Sequence, residues 1–362
     1  MKQVLVLRAL MLGDLLCATP ALRALRAALP DARISLLGLP WARTLVERLD
    51  SVDEFVEFPG WPGLPEREVD AQLSTRIWAD LRARRFDLAL QLHGSGQIVN
   101  QMLSQVGARR NAGFCTPDSW QPAQDAERFI AWPEHGSEVE RLLALTDSLD
   151  MPRQGLALDF PLVEDDRRAA QRLLGRCGMR AFTVIHPGSQ LPSRRWPPAR
   201  FAAVADVLAA LGQGIVLTGS ESEKPLTAAV QAAMTSGARA LDLAGQTNLW
   251  SLGGVIERAA LLVSNDTGVS HIAAGLRRPS VVVASGSEVV RWKPTNVALH
   301  HVLWENRACR PCTERICPHA IDGHSACAAA VDATSVSRAA LRLLDAQTAP
   351  ELSRQSQLAH HV

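Results

Sequence analysis

Ser264-Asn265-Asp266-Thr267-Gly268 follows the apolar run 261–263 and precedes a helix-forming stretch through His271, Ile272, Ala273 and Ala274. That order predicts a buried strand, a turn rich in N-cap residues, and a helix. Gly268 admits close backbone approach, and the unbonded N–H groups of a first helical turn face whatever lies above the strand end. The positive end of the helix dipole acts in the same sense, so the chemistry on offer is anion binding. Thr267 and His271, four apart, share a helical face from which both can reach a bound diphosphate. A plain capped turn with a surface histidine satisfies the same residues.

Other groups with chemical potential also follow apolar runs. Asp14 ends the loop 8–14 after the run 4–7, where a carboxylate can take a proton or cap a helix starting at Leu15. His186-Pro187-Gly188 and Thr218-Gly219-Ser220 read as turns that shape a nucleotide pocket, or as generic turns. Cys309, Cys312, Cys317 and Cys327 are spaced C-x2-C-x4-C-x9-C, and four thiolates suit a tetrahedral zinc. His319 or His324 could replace one sulfur. Buried thiols, or disulfides formed only on oxidation, are the alternatives.

Composition narrows the class. The 362 residues are enough for two α/β domains, each with a core, and a hydrophobic share of 47% is that of a globular protein. A net charge of +1 argues against a broad nucleic-acid surface. No run reaches the roughly 18 apolar residues of a spanning helix. Arg8 and Asp14 interrupt the N-terminal apolar run too early for a signal peptide. The expectation is a cytoplasmic protein, with peripheral contact at the membrane face. An odd count of seven cysteines, four of them crowded together, is unlike a secreted disulfide framework.

The elements that must position these groups alternate. Strands are predicted at 4–7, 34–37 and 86–92, with helices at 15–29, 41–49, 73–84 and 139–149. Pro20 should kink or restart the first helix. The segment 59–65, rich in proline and glycine, is a loop placed to touch ligand. After a linker near residue 155 the pattern repeats, with strands at 182–185, 214–218, 241–243, 261–263 and 280–284. The fold class is α/β: two Rossmann-like doubly wound domains, 1–155 and 156–347, facing across a cleft where ligands bind. The tail 348–362 is polar and predicted to be disordered.

Several motifs in one order resemble a known family. These are Gly13-Asp14 with the stretch 18–25, the stretch 86–94 and His186-Pro187-Gly188. Arg195-Trp196-Pro197, Leu243-Ala244-Gly245 and the stretch 265–271 complete the set. They resemble the ADP-heptose lipopolysaccharide heptosyltransferases, glycosyltransferase family 9, over about residues 3–330. The resemblance implies a GT-B architecture with an N-terminal acceptor domain and a C-terminal nucleotide-sugar domain. It further implies inverting, metal-independent transfer of a heptose-like sugar from a nucleoside diphosphate to a lipid-linked core saccharide. Asp14 falls on the family's general base, and Asp266, Thr267, Gly268 and His271 fall on its donor diphosphate loop. Arg194 stands where the family has a phosphate-gripping lysine, and Glu223 lies near an acid that contacts the ribose.

Direct displacement at the anomeric carbon needs a carboxylate to take the acceptor proton, and fixed N–H groups and a cation for the leaving diphosphate. Arg194 for lysine exchanges a point charge for a fork. With His186, Gly188, Thr218 and Gly219 around the nucleotide, the acceptor side would draw on His93, Gln97 and Arg110. The rival readings are a GT-B sugar-nucleotide epimerase and a non-catalytic nucleotide- or metal-binding protein. A nicotinamide oxidoreductase is disfavoured, since Leu10-Met11-Leu12-Gly13-Asp14 replaces the G-x-G-x-x-G fingerprint. No cofactor is expected for catalysis, and a zinc at the cysteines would be structural.

Overall fold

In the computed structural model, residues 1–175, 181–238 and 240–359 are described, with side chains described through residue 347. The chain divides into two compact units, Met1–Pro161 and Leu162–Val362. The 348–362 tail, expected to be disordered, lies outside the residues whose side chains are described.

The first unit runs β1 (Gln3–Leu7), α1 (Leu12–Ala28), β2 (Arg33–Gly38), α2 (Arg43–Val46), β3 (Glu54–Glu57) and α3 (Ala71–Ala83). It continues through β4 (Leu88–Gln91), α4 (Val99–Ser104), β5 (Asn111–Cys115), β6 (Phe129–Ala131) and α5 (Glu138–Ser148). The second unit runs α6 (Glu164–Leu174), β7 (Phe182–His186), α7 (Pro198–Ala210), β8 (Gly214–Leu217), α8 (Lys224–Ala233) and β9 (Leu241–Asp242). Next come α9 (Leu249–Arg258), β10 (Leu261–Asn265), α10 (Gly268–Gly275), β11 (Ser280–Ala284) and α11 (Val289–Trp292). It ends in β12 (His300–Trp304), α12 (Ala326–Ala330) and α13 (Ala333–Ala359).

Each unit holds one six-stranded parallel sheet. The strand orders are β3-β2-β1-β4-β5-β6 and β12-β11-β10-β7-β8-β9, the same doubly wound order twice. The order reverses between β1 and β4 in the first sheet and between β7 and β10 in the second. Parallel strands covered by helices read as unbroken apolar runs, and Val4, Leu5, Val6 and Leu7 are all fully buried. Leu5, Leu37, Phe58, Leu81, Phe86 and Ala89 belong to the core of the first unit. Trp196, Phe201, Ile215, Val263, Val281 and Val336 belong to that of the second.

Two expectations are corrected. Helix α1 begins at Leu12, with Met11 as its N-cap, so Asp14 stands in its first turn and not at an N-cap before Leu15. The same helix runs through Pro20 without restarting. Proline removes the N–H that would bond Leu16, and the buried Thr19 hydroxyl donates to that carbonyl instead at 2.8 Å. The strands β3, β5, β6 and β12 had no clear apolar run to announce them. The proline-glycine loop packs Trp61 edge-on to Trp78, with ring centroids 5.2 Å apart.

Candidate active site

In a doubly wound sheet, ligands bind beyond the carboxyl ends of the strands where the order reverses. Most of the candidate residues fall on those ends; Arg110, expected on the acceptor side, instead directly precedes β5, its amide bonded to the Asp87 carbonyl before β4, at the amino end of the sheet. Asp14 follows β1, His93 and Gln97 follow β4, Gly188 and Arg194 follow β7, and Asp266 to His271 follow β10.

In the first unit, Asp14 is partly exposed (22%), and one carboxylate oxygen lies 3.8 Å from Nη2 of Arg8, itself 1% exposed. His93 is buried. Its Nδ1 accepts the Ala9 amide at 3.2 Å, which leaves the proton on Nε2, 3.3 Å from Glu66 Oε1. Burial opposes charge on Glu66, but the bond from His93 holds its carboxyl below the usual range. His93 therefore ties the loop after β4 to the proline-glycine loop. Gln97 is exposed. Arg110 is half-exposed, with Nε 3.9 Å from the buried Asp125 carboxylate.

In the second unit the anion turn forms. Thr267 is the N-cap of α10 in extended conformation, and Gly268 is the first helical residue. The Thr267 hydroxyl oxygen is buried and has no hydrogen-bond partner among the described residues. A buried hydroxyl left unsatisfied is costly, and a ligand oxygen at the helix end would satisfy it. Asp266 is anchored by its amide to the Val283 carbonyl at 3.1 Å. His271 is buried on the same helix, with 4% exposure.

The loop after β7 is held against that turn. Buried Asn265 donates to the carbonyls of Pro187 and Gly188 and accepts the Trp196 amide at 2.9 Å. Trp196 is 1% exposed, stacks edge-on to Phe201 and donates to the Val331 carbonyl. Arg194 is thereby fixed between two anchored points, and its Nη2 donates to the Cys312 carbonyl at 2.5 Å. Asn265 stood in the recognised motif, but nothing in its position announced that it joins the two loops. Ser285 and Ser287 were also missed. Their buried hydroxyls have no partner among the described residues, while Gly286 between them lies beside the Arg194 guanidinium. Small polar residues directly after an apolar strand were the signal.

Five donor-side candidates gather at one place. A Cβ on Gly188 would overlap the Glu223 carboxylate, and one on Gly219 would meet Glu223 Cβ at 3.1 Å. Glu223 accepts the Ser220 amide at 2.8 Å and its hydroxyl at 2.9 Å. Burial works against its charge, but the Ser220 amide and hydroxyl, with His186 and Arg195 nearby, together hold its carboxyl below the usual range. His186 is paired with the Thr218 hydroxyl at 3.0 Å, and burial keeps the imidazole neutral by lowering its pKa. Thr218 is thus occupied by protein, and the missing side chains of Gly188 and Gly219 are what let Glu223 pack against the strand ends.

The cysteines line one cavity. Cys309, Cys312, Cys317 and Cys327 surround about 470 Å³, with Arg194 and His319 in its wall. All four are unbridged thiols. Among the described residues no three His, Cys, Asp or Glu side chains converge as metal ligands would. A tetrahedral zinc needs four such donors within bonding distance, so the cysteines as placed do not form that ligand set. The segment does carry structure. Cys312 donates its amide to Gly286 at 2.7 Å, and Arg310 donates to the carbonyls of Ala284, Glu305 and Ser287.

Known proteins share the sequence pattern and the fold. Residues 74–320 match the model of glycosyltransferase family 9 (heptosyltransferase). Lipopolysaccharide heptosyltransferase 2 of Salmonella typhimurium is 27% identical over 294 residues, covering 78% of this chain and 82% of that protein. Lipopolysaccharide heptosyltransferase 3 of Escherichia coli K12 is 25% identical over 299 residues, with 78% and 82% covered. Among solved structures, Escherichia coli ADP-heptose lipopolysaccharide heptosyltransferase II superposes with a TM-score of 0.74 at 21% identity, covering 96% of this chain and 100% of that one. An Escherichia coli heptosyltransferase solved with ADP gives 0.62 at 19% identity, with 93% and 96% covered. With two Rossmann-like units of the GT-B type and a family match across more than half its length, the chain belongs to glycosyltransferase family 9, the heptosyltransferases, and is a glycosyltransferase.

Proposed function

We propose that this enzyme transfers a heptose-like sugar from ADP-heptose, with inversion, to a core saccharide of lipopolysaccharide. The observation that carries the donor side is the turn at Thr267. It combines a helix N-terminus, a buried hydroxyl without a described partner, and a cation-bearing loop pinned to the same strand end by Asn265. Relatives named as lipopolysaccharide heptosyltransferases support the substrate class, and a similar fold solved with ADP supports the nucleotide. The second unit is the donor domain and the first the acceptor domain in this reading.

The chemistry follows from these groups. Asp14 takes the proton of the attacking acceptor hydroxyl as the new glycosidic bond forms. The anomeric carbon inverts as its bond to the β-phosphate oxygen breaks. The charge arriving on the diphosphate meets the first-turn N–H groups of α10, the Thr267 hydroxyl and Arg194. Gly188, Gly219 and Glu223 border the nucleoside, with Glu223 toward the ribose, and Asp266 and His271 flank the diphosphate. His93 and Gln97 line the acceptor side. No metal takes part. Among the described residues no helix is long and apolar enough to cross a membrane. The enzyme works at the cytoplasmic face, meeting a lipid-linked acceptor peripherally.

Purified enzyme should convert ADP-heptose and a truncated core acceptor into ADP and an elongated saccharide of inverted anomeric configuration, read by NMR. Asp14→Asn should abolish transfer while ADP still raises Tm. A panel of nucleoside diphosphates in which ADP gives no preferential stabilisation would overturn the donor assignment. Turnover of donor to a sugar epimer without acceptor would favour the epimerase instead.

A further inference from the structure

Asp14 does not stand alone at the end of β1. Arg8, the first residue past the strand, is 1% exposed and spends its whole guanidinium inside the first unit. Its Nε and Nη2 donate to the Asp14 carbonyl at 3.1 and 2.9 Å, and Nη1 donates to the Leu92 carbonyl at 2.5 Å. Nη2 also donates to Glu138 Oε1 at 3.1 Å while lying 3.8 Å from the Asp14 carboxylate. The second oxygen of Glu138, a residue 3% exposed, accepts Arg141 Nη1 at 3.0 Å. Arg141 in turn donates to the Pro133 carbonyl and lies over the Trp132 ring, 3.7 Å from its centroid.

Charge therefore alternates from the partly exposed Asp14 into the buried Arg8, Glu138 and Arg141. Four segments meet there: the loop after β1, the first turn of α1, the loop after β4 and α5. His93, whose Nδ1 accepts the Ala9 amide, and Glu66, bonded to His93 Nε2, lie on the same side. A cation held this rigidly beside a carboxylate fixes where that carboxylate points and favours its ionised form. A structural role alone does not require the guanidinium to hold the Asp14 backbone and face its side chain at once.

We propose that Arg8 is the positioning residue for Asp14, placing its carboxylate and holding it ionised, with Glu138 setting how much of the Arg8 charge Asp14 feels. The proposal rests on the assignment of Asp14 as the base. Two predictions of opposite sign follow. Arg8→Gln removes the cation, so the pKa of Asp14 rises by about 1–3 units, the span for a carboxylate losing an opposite charge at this range. Glu138→Gln removes the counter-charge, leaves more of the Arg8 field on Asp14, and lowers that pKa. Arg8→Lys keeps the charge but not the fork, so the acid limb stays close to that of the wild type while kcat falls.

The measurement is the acid limb of kcat/KM against pH for wild type and the three variants. Alongside it runs a carboxyl 13C titration of Asp14, assigned by its loss in Asp14→Asn. Opposite displacements in Arg8→Gln and Glu138→Gln, in both readouts and with ADP affinity unchanged, support the proposal. Limbs and titrations that stay put while Tm alone falls overturn it and make Arg8 purely structural. If Arg8→Gln does not fold, the direction of the Glu138→Gln shift decides by itself. An active Asp14→Asn, with the 13C shifts moving as stated, sinks the base assignment and leaves the electrostatic coupling intact.

Discussion

Arg194 donates through Nη2 to the Cys312 carbonyl at 2.5 Å, so the Cys-rich segment grips the cation that stands near the anion turn. The segment is fastened to the same loop at further points. Ser193 donates to the Glu314 carbonyl at 2.5 Å, and the Ser325 hydroxyl donates to the Ser193 carbonyl at 2.7 Å. A fork with one nitrogen fixed presents its others in a set direction, which a flexible ammonium does not.

Arg194→Ala should lower kcat/KM by about 10²-fold, the scale of losing one charge-stabilising group in the transition state. Arg194→Lys should recover part of that, since the charge returns without the anchor. Steady-state kinetics at varied donor read both. An Arg194→Ala enzyme with unaltered kcat/KM would remove Arg194 from the site.

Gly188 and Glu223 form a second pair whose geometry is testable. A methyl group at 188 must push the Glu223 carboxylate off its Ser220 cap, because that carboxylate is the movable end of a side chain. Gly188→Ala and Glu223→Ala should therefore raise the donor KM by similar factors, and the double variant should be no worse than either alone. Additive losses would mean that Gly188 and Glu223 act independently.

Thr19 offers a test in the first unit. Its hydroxyl donates to the Leu16 carbonyl left open by Pro20 and accepts the Asp159 amide at 2.9 Å. Thr19→Val leaves the buried Leu16 carbonyl and the partly buried Asp159 amide unpaired and should cost about 1–3 kcal/mol. Adding Pro20→Ala supplies the missing N–H and should return part of the loss. Chemical denaturation at constant m reads the effect.

How far the sequence already carried this architecture depended on burial. Strands flanked by helices on both faces, such as 4–7, 261–263 and 280–284, are continuous apolar runs and were legible. Edge strands such as Glu54–Glu57 and His300–Trp304 mix polar and apolar residues, and no periodicity marked them. The glycine turns and Thr267 were readable because their backbone requirements are local. Asn265 and Arg8 were not, because their importance lies in partners far along the chain, Pro187 for one and Glu138 for the other.

His300 makes stability depend on pH. It is buried, paired with the Ser280 hydroxyl at 2.8 Å, and its pKa is lowered from 6.5 to about 4 by burial first, then by His271 and His301. The unfolded chain binds a proton there between those values and the native state does not. Stability is therefore complete above about pH 6.5 and falls as pH drops toward 4. The full loss is about 3 kcal/mol at 1.36 kcal/mol per unit. His186, also lowered by burial, acts in the same direction. His300→Gln should flatten the slope of unfolding free energy between pH 6.5 and 4, and an unchanged slope would show that His300 does not carry it.

Metal removal closes the set. In the proposed reaction the leaving charge is met by backbone N–H groups and a guanidinium, neither of which a chelator touches. The four cysteines share a cavity, yet the Cys312 backbone is spent on Gly286 and Arg194, and no three ligating side chains converge among the described residues. Incubation with EDTA should leave the transfer rate and Tm unchanged, and elemental analysis should find far less than one zinc per chain. A zinc in every molecule whose removal lowers Tm would mean that the segment closes around an ion, and Arg194 would then lean on a metal-braced loop. Chelation would in that case raise the donor KM as well, because the Cys312 carbonyl that anchors Arg194 lies within the loop the ion would hold.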